Sequence, residues 1–291
     1  MKYLTLFFLL FTNLIGFGQS EEYEFIGTIQ LQDMSLISYK IVFQEQDGKI
    51  TGKSISDFAG AHRTESLIEG TLDRKNDIIS FNEIENISTR SDYPDSTFCY
   101  VHLYDAKIKL KKRKRVIQGH FYSRYLDGSL CIEGDIYLIG EDMMFNKFEK
   151  VTKRAKILVD DKKLERVESD LASTKENLKN VLMADDDQMV FNVSTPTLQL
   201  KIWDAEHVDG DRISVYQNDK LILDNYSVLK EPKYLVVRMD GDIENVKIVA
   251  NNEGRIPPNS ANIEIIEANN HTPLKVKLNK GNEVRLVFKK S

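Results

Sequence analysis

The sequence predicts a mostly β protein, built from an amino-terminal antiparallel up-and-down barrel-like domain, one linker helix and a carboxyl-terminal β-sandwich. Short segments in which apolar and polar residues alternate, bounded by turn residues, fill both halves of the 291-residue chain. Between them, residues 147–184 contain no Pro or Gly and carry apolar residues at a helical spacing. The chain is also longer than one typical domain, which favours two folded units.

Residues 1–18 have the features of a signal peptide. Lys2 provides a positive start, residues 4–15 are almost entirely apolar, and Gly16 and Gly18 supply the small residues that a signal peptidase reads. The apolar run is too short for a stable membrane anchor. We therefore expect cleavage near Gly18 and export to the periplasm or the extracellular space, with no transmembrane segment in the mature chain.

Residues 19–142 are predicted to form the barrel-like domain. Eight or nine short strands follow one another, with turns at Asp47-Gly48 and Asp127-Gly128 and no helical period between them. Cys99 and Cys131 both lie in predicted strands of this domain. In an exported protein they form either a disulfide or two buried thiols.

An apolar residue, one spacer and a glycine recur in this domain, and glycines at such positions let strands bend so that a sheet can close. In pattern, residues 23–139 resemble calycin-type barrels, the lipocalin and avidin group. This resemblance implies a barrel that either holds a ligand or is filled by its own side chains, of which we favour the filled form. The recurring glycines are Gly27, Gly52, Gly70, Gly119 and Gly134.

Residues 143–187 are predicted to be a helical linker. Ile157, Leu164, Leu171 and Leu178 repeat at intervals of seven, with Val167 and Val181 three positions after two of them, but Asp160 and Thr174 interrupt the second row of the seam. We favour a linker helix packed on a neighbouring domain. The alternative is a homo-oligomer that associates through residues 154–184.

Residues 188–291 are predicted to form the β-sandwich, and their most distinctive feature is an acidic loop. Asp204, Asp209 and Asp211 surround Gly210 between two apolar strands. Asn252 and Glu253 follow some forty residues later in a second polar loop. Loop oxygen ligands held by rigid strands suit calcium, so these five side chains are the candidate metal ligands, although the spacing is not that of an EF-hand.

The alternative for the acidic loop is turn chemistry without a metal. Asp211 would then bond backbone amides, and Asp204 would pair with Arg212 or Arg255. Trp203, Arg255 and Asn259 are the candidate ligand contacts beside this loop. Trp203 either stacks on a sugar ring or lies in the core, and for a lone tryptophan at a strand end we favour the core.

Two segments carry a further resemblance, residues 200–218 and residues 252–259. Together they resemble a poorly characterised β-sandwich domain found at the carboxyl end of secreted proteins from Bacteroidota-type bacteria, over residues 196–289. The resemblance implies a secreted or surface accessory module and supplies no catalytic residues.

The charge distribution and the motifs limit the possible classes of function. Residues 19–142 contain 15 basic residues (Lys and Arg) and 21 acidic residues (Asp and Glu). The two types are equal in number in residues 143–189, with 10 each, and in residues 190–291, with 14 each. Because no part is strongly basic, nucleic-acid binding is not predicted. The basic run 107–115 is interpreted as a solvated hairpin turn, with a polyanion contact as the alternative.

The chain has no nucleophile elbow, zinc-protease motif or phosphate-binding loop. We therefore expect an exported, non-catalytic binding or accessory module at the cell envelope that contacts a glycan or a protein. A structural protein that assembles through the helix is the alternative, and a secreted hydrolase is the third hypothesis.

Overall fold

The computed structural model describes residues 21–58, 60–111, 114–155, 169, 181–204 and 207–291. The described residues are mostly β, and they contain a closed barrel followed by a helix and a two-sheet sandwich. The predicted fold class is confirmed. The predicted signal peptide lies outside the described residues.

Eight antiparallel strands form the barrel, and each pairs with the next along the chain. Strand β8 pairs back with β1, from Phe25 opposite Gly140 to Leu31 opposite Gly134, which closes the sheet. The strands are β1 (Glu21–Leu31), β2 (Leu36–Gln46), β3 (Lys49–Ser56), β4 (Thr64–Asp73), β5 (Ile78–Thr89), β6 (Tyr100–Lys111), β7 (Lys114–Arg124) and β8 (Leu130–Gly140).

The sequence patterns of residues 97–104 and 106–111 predict two separate strands, but Tyr100–Lys111 form one strand, β6, with an irregularity within it. The pairing of β6 with β7 shifts register between Leu103 and Lys107, and Asp105 adopts φ 51°. A β-bulge of this kind accommodates extra residues without ending the strand. The polar pair of Tyr104 and Asp105 therefore marks a bulge and not a turn.

The recurring glycines allow neighbouring strands to approach closely. A Cβ atom at four of them would lie 2.0–2.1 Å from a carbonyl oxygen of the adjacent strand, which no side chain tolerates. At Gly119 a Cβ would lie 2.7 Å from the Cβ of Ala106. These contacts agree with the predicted role of glycine in curling the sheet. The four glycines that face a carbonyl are Gly27, Gly52, Gly70 and Gly134.

Inward-facing side chains pack the barrel. Its core is formed by aromatic and aliphatic residues that include Tyr23, Phe43 and Phe121. Toward one end the interior becomes polar, where the buried Glu83 accepts hydrogen bonds from Tyr39 Oη at 2.7 Å and from Ser54 Oγ at 2.5 Å. Burial raises the pKa of Glu83 above its usual value, and these hydrogen bonds oppose that rise.

A disulfide joins Cys99 to Cys131, with 5.9 Å between the Cα atoms. It connects the residue before β6 to strand β8, two strands that are separated by β7. Of the two states left open by the sequence, the structure therefore contains the disulfide.

Helix α1 (Glu141–Ala155) follows the barrel directly. The predicted apolar seam and the proposed oligomerisation segment lie mostly beyond this helix, outside the described residues. The prediction of a helical linker over residues 143–187 is wrong near its end, because Val181–Met183 form strand β9. Val181 and Met183 are buried in the sandwich core and pair in parallel with Leu274 and Val276, so tertiary packing overrides the helical pattern.

Two sheets form the carboxyl-terminal sandwich and enclose one hydrophobic core. One sheet has the order β14-β11-β16-β17-β9, and the other contributes β13-β12-β15-β18-β10. The strands are β10 (Gln188–Val193), β11 (Thr197–Trp203), β12 (Arg212–Gln217), β13 (Lys220–Ser227), β14 (Lys233–Arg238), β15 (Ile243–Ala250), β16 (Asn259–Glu267), β17 (Asn270–Leu278) and β18 (Glu283–Lys290).

The barrel and the sandwich share backbone hydrogen bonding. At its far end β5 pairs with β10, with Thr89 opposite Val190 and Ser88 opposite Phe191. The sandwich sheet therefore continues into the barrel wall as a 13-stranded sheet. Among the described residues, no helix has the length and apolar character required to cross a membrane.

Candidate cation and ligand site in the sandwich loops

The acidic loop and the second polar loop meet at one end of the sandwich. The acidic loop leaves β11 and enters β12, whereas residues 251–258 leave β15 and enter β16. Strands β12 and β15 are neighbours in one sheet, and β11 and β16 are neighbours in the other. The topology thus brings the two loops together, as expected from the sequence. Gly210 has φ 102°, a conformation that favours glycine.

Asp209 joins the two loops. Its Oδ2 accepts hydrogen bonds from the backbone N–H groups of Arg255 at 3.0 Å and Ile256 at 2.6 Å. Gly254 lies against the same carboxylate, because a Cβ there would be 2.5 Å from Asp209 Oδ1. The Asp209 side chain is therefore enclosed by the backbone of the second loop, and its residue is only 7% exposed.

Asp211 makes a second connection. Its Oδ2 accepts a hydrogen bond from the backbone N–H of Ser260 at 2.7 Å, and the residue is 2% exposed. The pKa of Asp211 is raised to about 6, chiefly by burial and also by the charges of Asp209 and Asp204, against the hydrogen bond from Ser260. The prediction that Asp211 bonds a backbone amide agrees with this geometry.

Asp204 lies at the end of β11 and is 3% exposed. Its backbone N–H donates to the carbonyl of Leu229 at 2.8 Å. Its charge acts on Asp211, so the three aspartates share one electrostatic environment. The charges of Asp204 and Asp209 disfavour the ionised form of Asp211, and a proton, a hydrogen-bond donor or a cation relieves such repulsion between nearby buried carboxylates.

The side-chain amides of Asn252 and Asn259 hydrogen-bond to the backbone of the two loops. Asn252 Oδ1 accepts from the N–H of Arg212 at 2.7 Å, and Asn252 Nδ2 donates to the carbonyl of Gly210 at 2.8 Å. Asn259 is buried and donates to the carbonyls of Arg212 and Asn252. Both predicted site residues therefore hold the backbone of the acidic loop in place.

Glu253 points elsewhere. Its Oε1 accepts a hydrogen bond from the N–H of Lys280 at 2.8 Å, in the turn between β17 and β18. The structure thus does not place this side chain with the aspartates. Of the five predicted metal ligands, it brings Asp204, Asp209 and Asp211 together with the amide of Asn252 beside them.

Two carboxylate oxygens of this site accept no hydrogen bond. Asp209 Oδ1 and Asp211 Oδ1 are both buried from solvent, and no described residue donates to either atom. A buried acceptor without a donor costs about 1–3 kcal/mol, and more when it is charged. These two atoms are the positions at which a cation would relieve the unfavourable burial.

The carboxylates alone do not form a complete cation shell. Within the described residues, no three His, Cys, Asp or Glu side chains converge closely enough to hold a metal ion. A cation at the two free oxygens would therefore need further ligands from backbone carbonyls, amide oxygens or the bound ligand, a composition that calcium accepts.

A small cavity of about 160 Å³ adjoins Asp209. Lys277 contributes a positive charge to the wall of the cavity, and His207 contributes an imidazole ring. The apolar part of the wall is formed by Ile256, Pro257 and Pro258. The peptide bond between the two prolines is cis. Lys277 was missed by sequence reasoning, because it resembles any lysine on the outer face of a strand. Only its pairing opposite Ser260 places it here.

Trp203 is neither in the core nor open to solvent. It is half-buried on the outer face of β11, and Lys201 Nζ lies 4.7 Å from its ring centroid. The expectation of a core position is wrong, because the alternation of β11 directs Leu200 and Ile202 inward instead. Arg255 is exposed, and its Nε donates to the carbonyl of Asp209 at 3.4 Å.

No family model, curated protein or solved structure matches this chain.

Proposed function

We propose that this protein is an exported, non-catalytic binding module at the cell envelope, in which the sandwich loops bind calcium and contact a ligand beside it. The observation that carries the proposal is the pair of buried oxygens, Asp209 Oδ1 and Asp211 Oδ1, that lack a hydrogen-bond donor. A hard divalent cation supplies the missing positive charge with oxygen ligands alone.

Bound calcium would connect the two loops and shape the adjoining cavity. Asp209 already bonds the backbone of residues 255 and 256, and Asp211 bonds Ser260. A cation between their free oxygens would stiffen both loops at once. Rigid loops bind more tightly, since less conformational entropy is lost on association.

The cavity suits a small polar group of a larger ligand. Its volume of about 160 Å³ accommodates one sugar ring or one acidic side chain, and Lys277 and His207 offer hydrogen-bond donors. A glycan or a protein surface that inserts such a group is therefore the proposed ligand class, with Arg255 and Trp203 at the periphery of the site.

Two features support export. The amino-terminal residues have the pattern of a signal peptide, and the barrel contains a disulfide of the kind that persists in oxidising compartments. The resemblance of residues 196–289 to a sandwich domain of secreted proteins favours the same location.

Titration calorimetry and thermal unfolding of residues 19–291 with calcium and with magnesium test the proposal. We expect calcium to release or absorb heat and to raise the melting temperature, and the double variant D209N/D211N to lose both effects. Asp224→Asn, on the exposed strand β13, is the matched control. Absence of heat and of any thermal shift at about millimolar calcium would rule out the site.

A further inference from the structure

Three exposed tyrosines lie on one outer face of the barrel, on the side of the strands opposite the hydrophobic core. Tyr104, Tyr122 and Tyr137 are 52%, 40% and 54% exposed. Tyr137 of β8 lies opposite Gln118 of β7, and Tyr122 of β7 lies opposite His102 of β6, so Tyr122 and Tyr137 are offset by about 13 Å along neighbouring strands. All three tyrosines line the same groove, and exposed aromatic side chains that share one concave surface are typical of a binding surface.

Two of the rings are held in defined orientations by histidines. His102 stacks with Tyr104 at a centroid distance of 6.3 Å, and His120 meets Tyr122 edge-on at 5.1 Å. The histidines are themselves anchored, since His102 Nδ1 lies 2.8 Å from Asn82 Oδ1 and His120 Nδ1 lies 3.1 Å from Asp135 Oδ1. Such a preorganised aromatic surface loses little entropy when it binds.

The tyrosines line an open groove of about 680 Å³. Its wall also contains Gln118, His120 and Asp135, which alternate with the rings and offer both donors and acceptors. The bulge of β6 places Tyr104 and Asp105 at the edge of the groove, and bulges commonly redirect side chains at binding sites.

At its other end the groove becomes basic. An adjoining depression of about 170 Å³ is lined by Lys107, Lys109 and Lys114, and shares Lys107, Gln118 and Tyr137 with the tyrosine groove. The three lysines give this depression a positive charge. From Val116 to Tyr122, the β7 floor extends about 20 Å, which spans several sugar rings.

We propose that this face of the barrel binds an acidic oligosaccharide. The apolar faces of sugar rings pack on flat aromatic side chains, and their hydroxyls hydrogen-bond to Gln118, His120 and Asp135. A carboxylate or sulfate of the same chain is bound by the three lysines. Lys107, Lys109 and Lys114 of the basic run thereby form the anion-binding end of the groove.

A nucleic acid fits this surface less well. The tyrosine end carries carboxylates at Asp105 and Asp135, and Glu133 lies beside His120. These carboxylates repel a regular row of phosphates but accept hydrogen bonds from sugar hydroxyls. The surface thus combines anion recognition at one end with hydroxyl recognition at the other, which matches a glycan with sparse acidic groups.

Binding measurements on residues 19–291 test this proposal. The probes are hexasaccharides of polygalacturonate and of chondroitin sulfate, with neutral cellohexaose and single-stranded DNA as comparisons. The variants are Tyr137→Ala, Tyr122→Ala and Lys109→Glu. The matched controls, Tyr234→Ala and Lys233→Glu, alter an exposed tyrosine and an exposed lysine of strand β14 in the sandwich.

We expect at least one acidic hexasaccharide to bind more tightly than cellohexaose, with affinity that falls as salt rises. Each barrel variant should weaken binding by about tenfold or more, and the controls should leave it unchanged. Because the groove contains none of the aspartates of the sandwich site, binding should persist in a chelator and in D209N/D211N.

Three results would overturn the proposal. One is the absence of binding to both acidic probes at about 1 mM. Another is equal or tighter binding of single-stranded DNA. The third is a loss of affinity in the Tyr234 and Lys233 controls that equals the loss in the barrel variants. Far-ultraviolet circular dichroism of each variant shows that it is folded, and Lys109→Glu tests the groove independently of the aromatic substitutions.

Discussion

Lys40 and Glu141 form a buried ion pair, with 3.1 Å between Lys40 Nζ and Glu141 Oε2, that connects barrel strand β2 to the first residue of helix α1. Lys40 also contacts Glu24 of β1 at 3.1 Å. Two carboxylates therefore share one lysine where the barrel closes. The helix is thus attached to the barrel by side-chain hydrogen bonds as well as by the backbone.

This pairing predicts a specific pH dependence of stability. The pKa of Glu141 is raised from 4.5 to about 7, chiefly by burial and by hydrogen bonding to Glu24, against the charge of Lys40. The folded state holds this proton more tightly than the unfolded state. Its stabilising contribution is therefore complete below pH 4.5 and is lost as the pH rises through about 7.

Glu141→Gln should remove that dependence. Between these pH values the free energy of unfolding of the wild type should fall relative to that of the variant by roughly 2 kcal/mol, as measured by urea denaturation at several pH values. Glu69→Gln, on the exposed side of β4, is the control. Parallel pH profiles for the wild type and Glu141→Gln would contradict the prediction.

The strand glycines predict a severe effect of a single methyl group. At Gly52, a Cβ would lie 2.1 Å from the carbonyl oxygen of Val42, so Gly52→Ala must push two barrel strands apart. We expect a loss of about 3 kcal/mol or more in the free energy of unfolding. At Gly128 a Cβ meets nothing within 4 Å, so Gly128→Ala tests a glycine whose only constraint is its φ of 82°. Equal losses in the two variants, measured by chemical denaturation, would disprove the close-approach explanation.

The disulfide between Cys99 and Cys131 closes a loop with a sequence separation of 32. A cross-link of this length stabilises the folded state by about 3–4 kcal/mol, mainly by restricting the unfolded chain. The variant C99S/C131S should unfold at a correspondingly lower denaturant concentration. The melting temperature of the wild type should fall in reductant while that of the variant stays constant, and a wild type insensitive to reductant would refute the prediction.

Gly254 provides a test of the sandwich loops. Both Gly254 and Gly281 have positive φ values, 58° and 88°, but only a Cβ at Gly254 would contact Asp209, at 2.5 Å from Oδ1. Gly254→Ala should therefore destabilise the protein by about 1–2 kcal/mol more than Gly281→Ala and should also weaken calcium binding. Thermal unfolding with and without calcium measures both effects. If the two variants behave alike, the contact with Asp209 carries no energetic weight.

Most of the fold follows from local patterns in the sequence. The alternation of apolar residues in the barrel and in the sandwich reflects strands that each bury one face, and this pattern needs no knowledge of the partner strands. Strand β9 could not be predicted in this way, because Val181 and Met183 lie at the end of a segment with a helical pattern. Their burial depends on pairing with β17, almost a hundred residues away.

Part of the candidate site in the sandwich loops could also be predicted from the sequence, and part could not. The sequence predicts that the loop of Asp209 and the polar loop of residues 251–258 face each other, because both loops join apolar strands of the sandwich. Which oxygen atoms accept backbone hydrogen bonds, and that Glu253 turns toward Lys280, depends on packing of β17 and β18 that no local pattern encodes. The groove of the barrel was missed because Tyr104, Tyr122 and Tyr137 lie on three different strands and come to line one groove only through the pairing of β6, β7 and β8.

The pairing of β5 with β10 has a consequence for handling the protein in pieces. Past the segment where β5 pairs with β6, its backbone groups at Ser88 and Thr89 face β10. Strand β10 in turn has β18 on its other side. Each half of the molecule thus covers an open strand edge of the other, and such edges recruit foreign strands when they are exposed. Separating the barrel from the sandwich would therefore expose both strand edges and favour aggregation of each fragment.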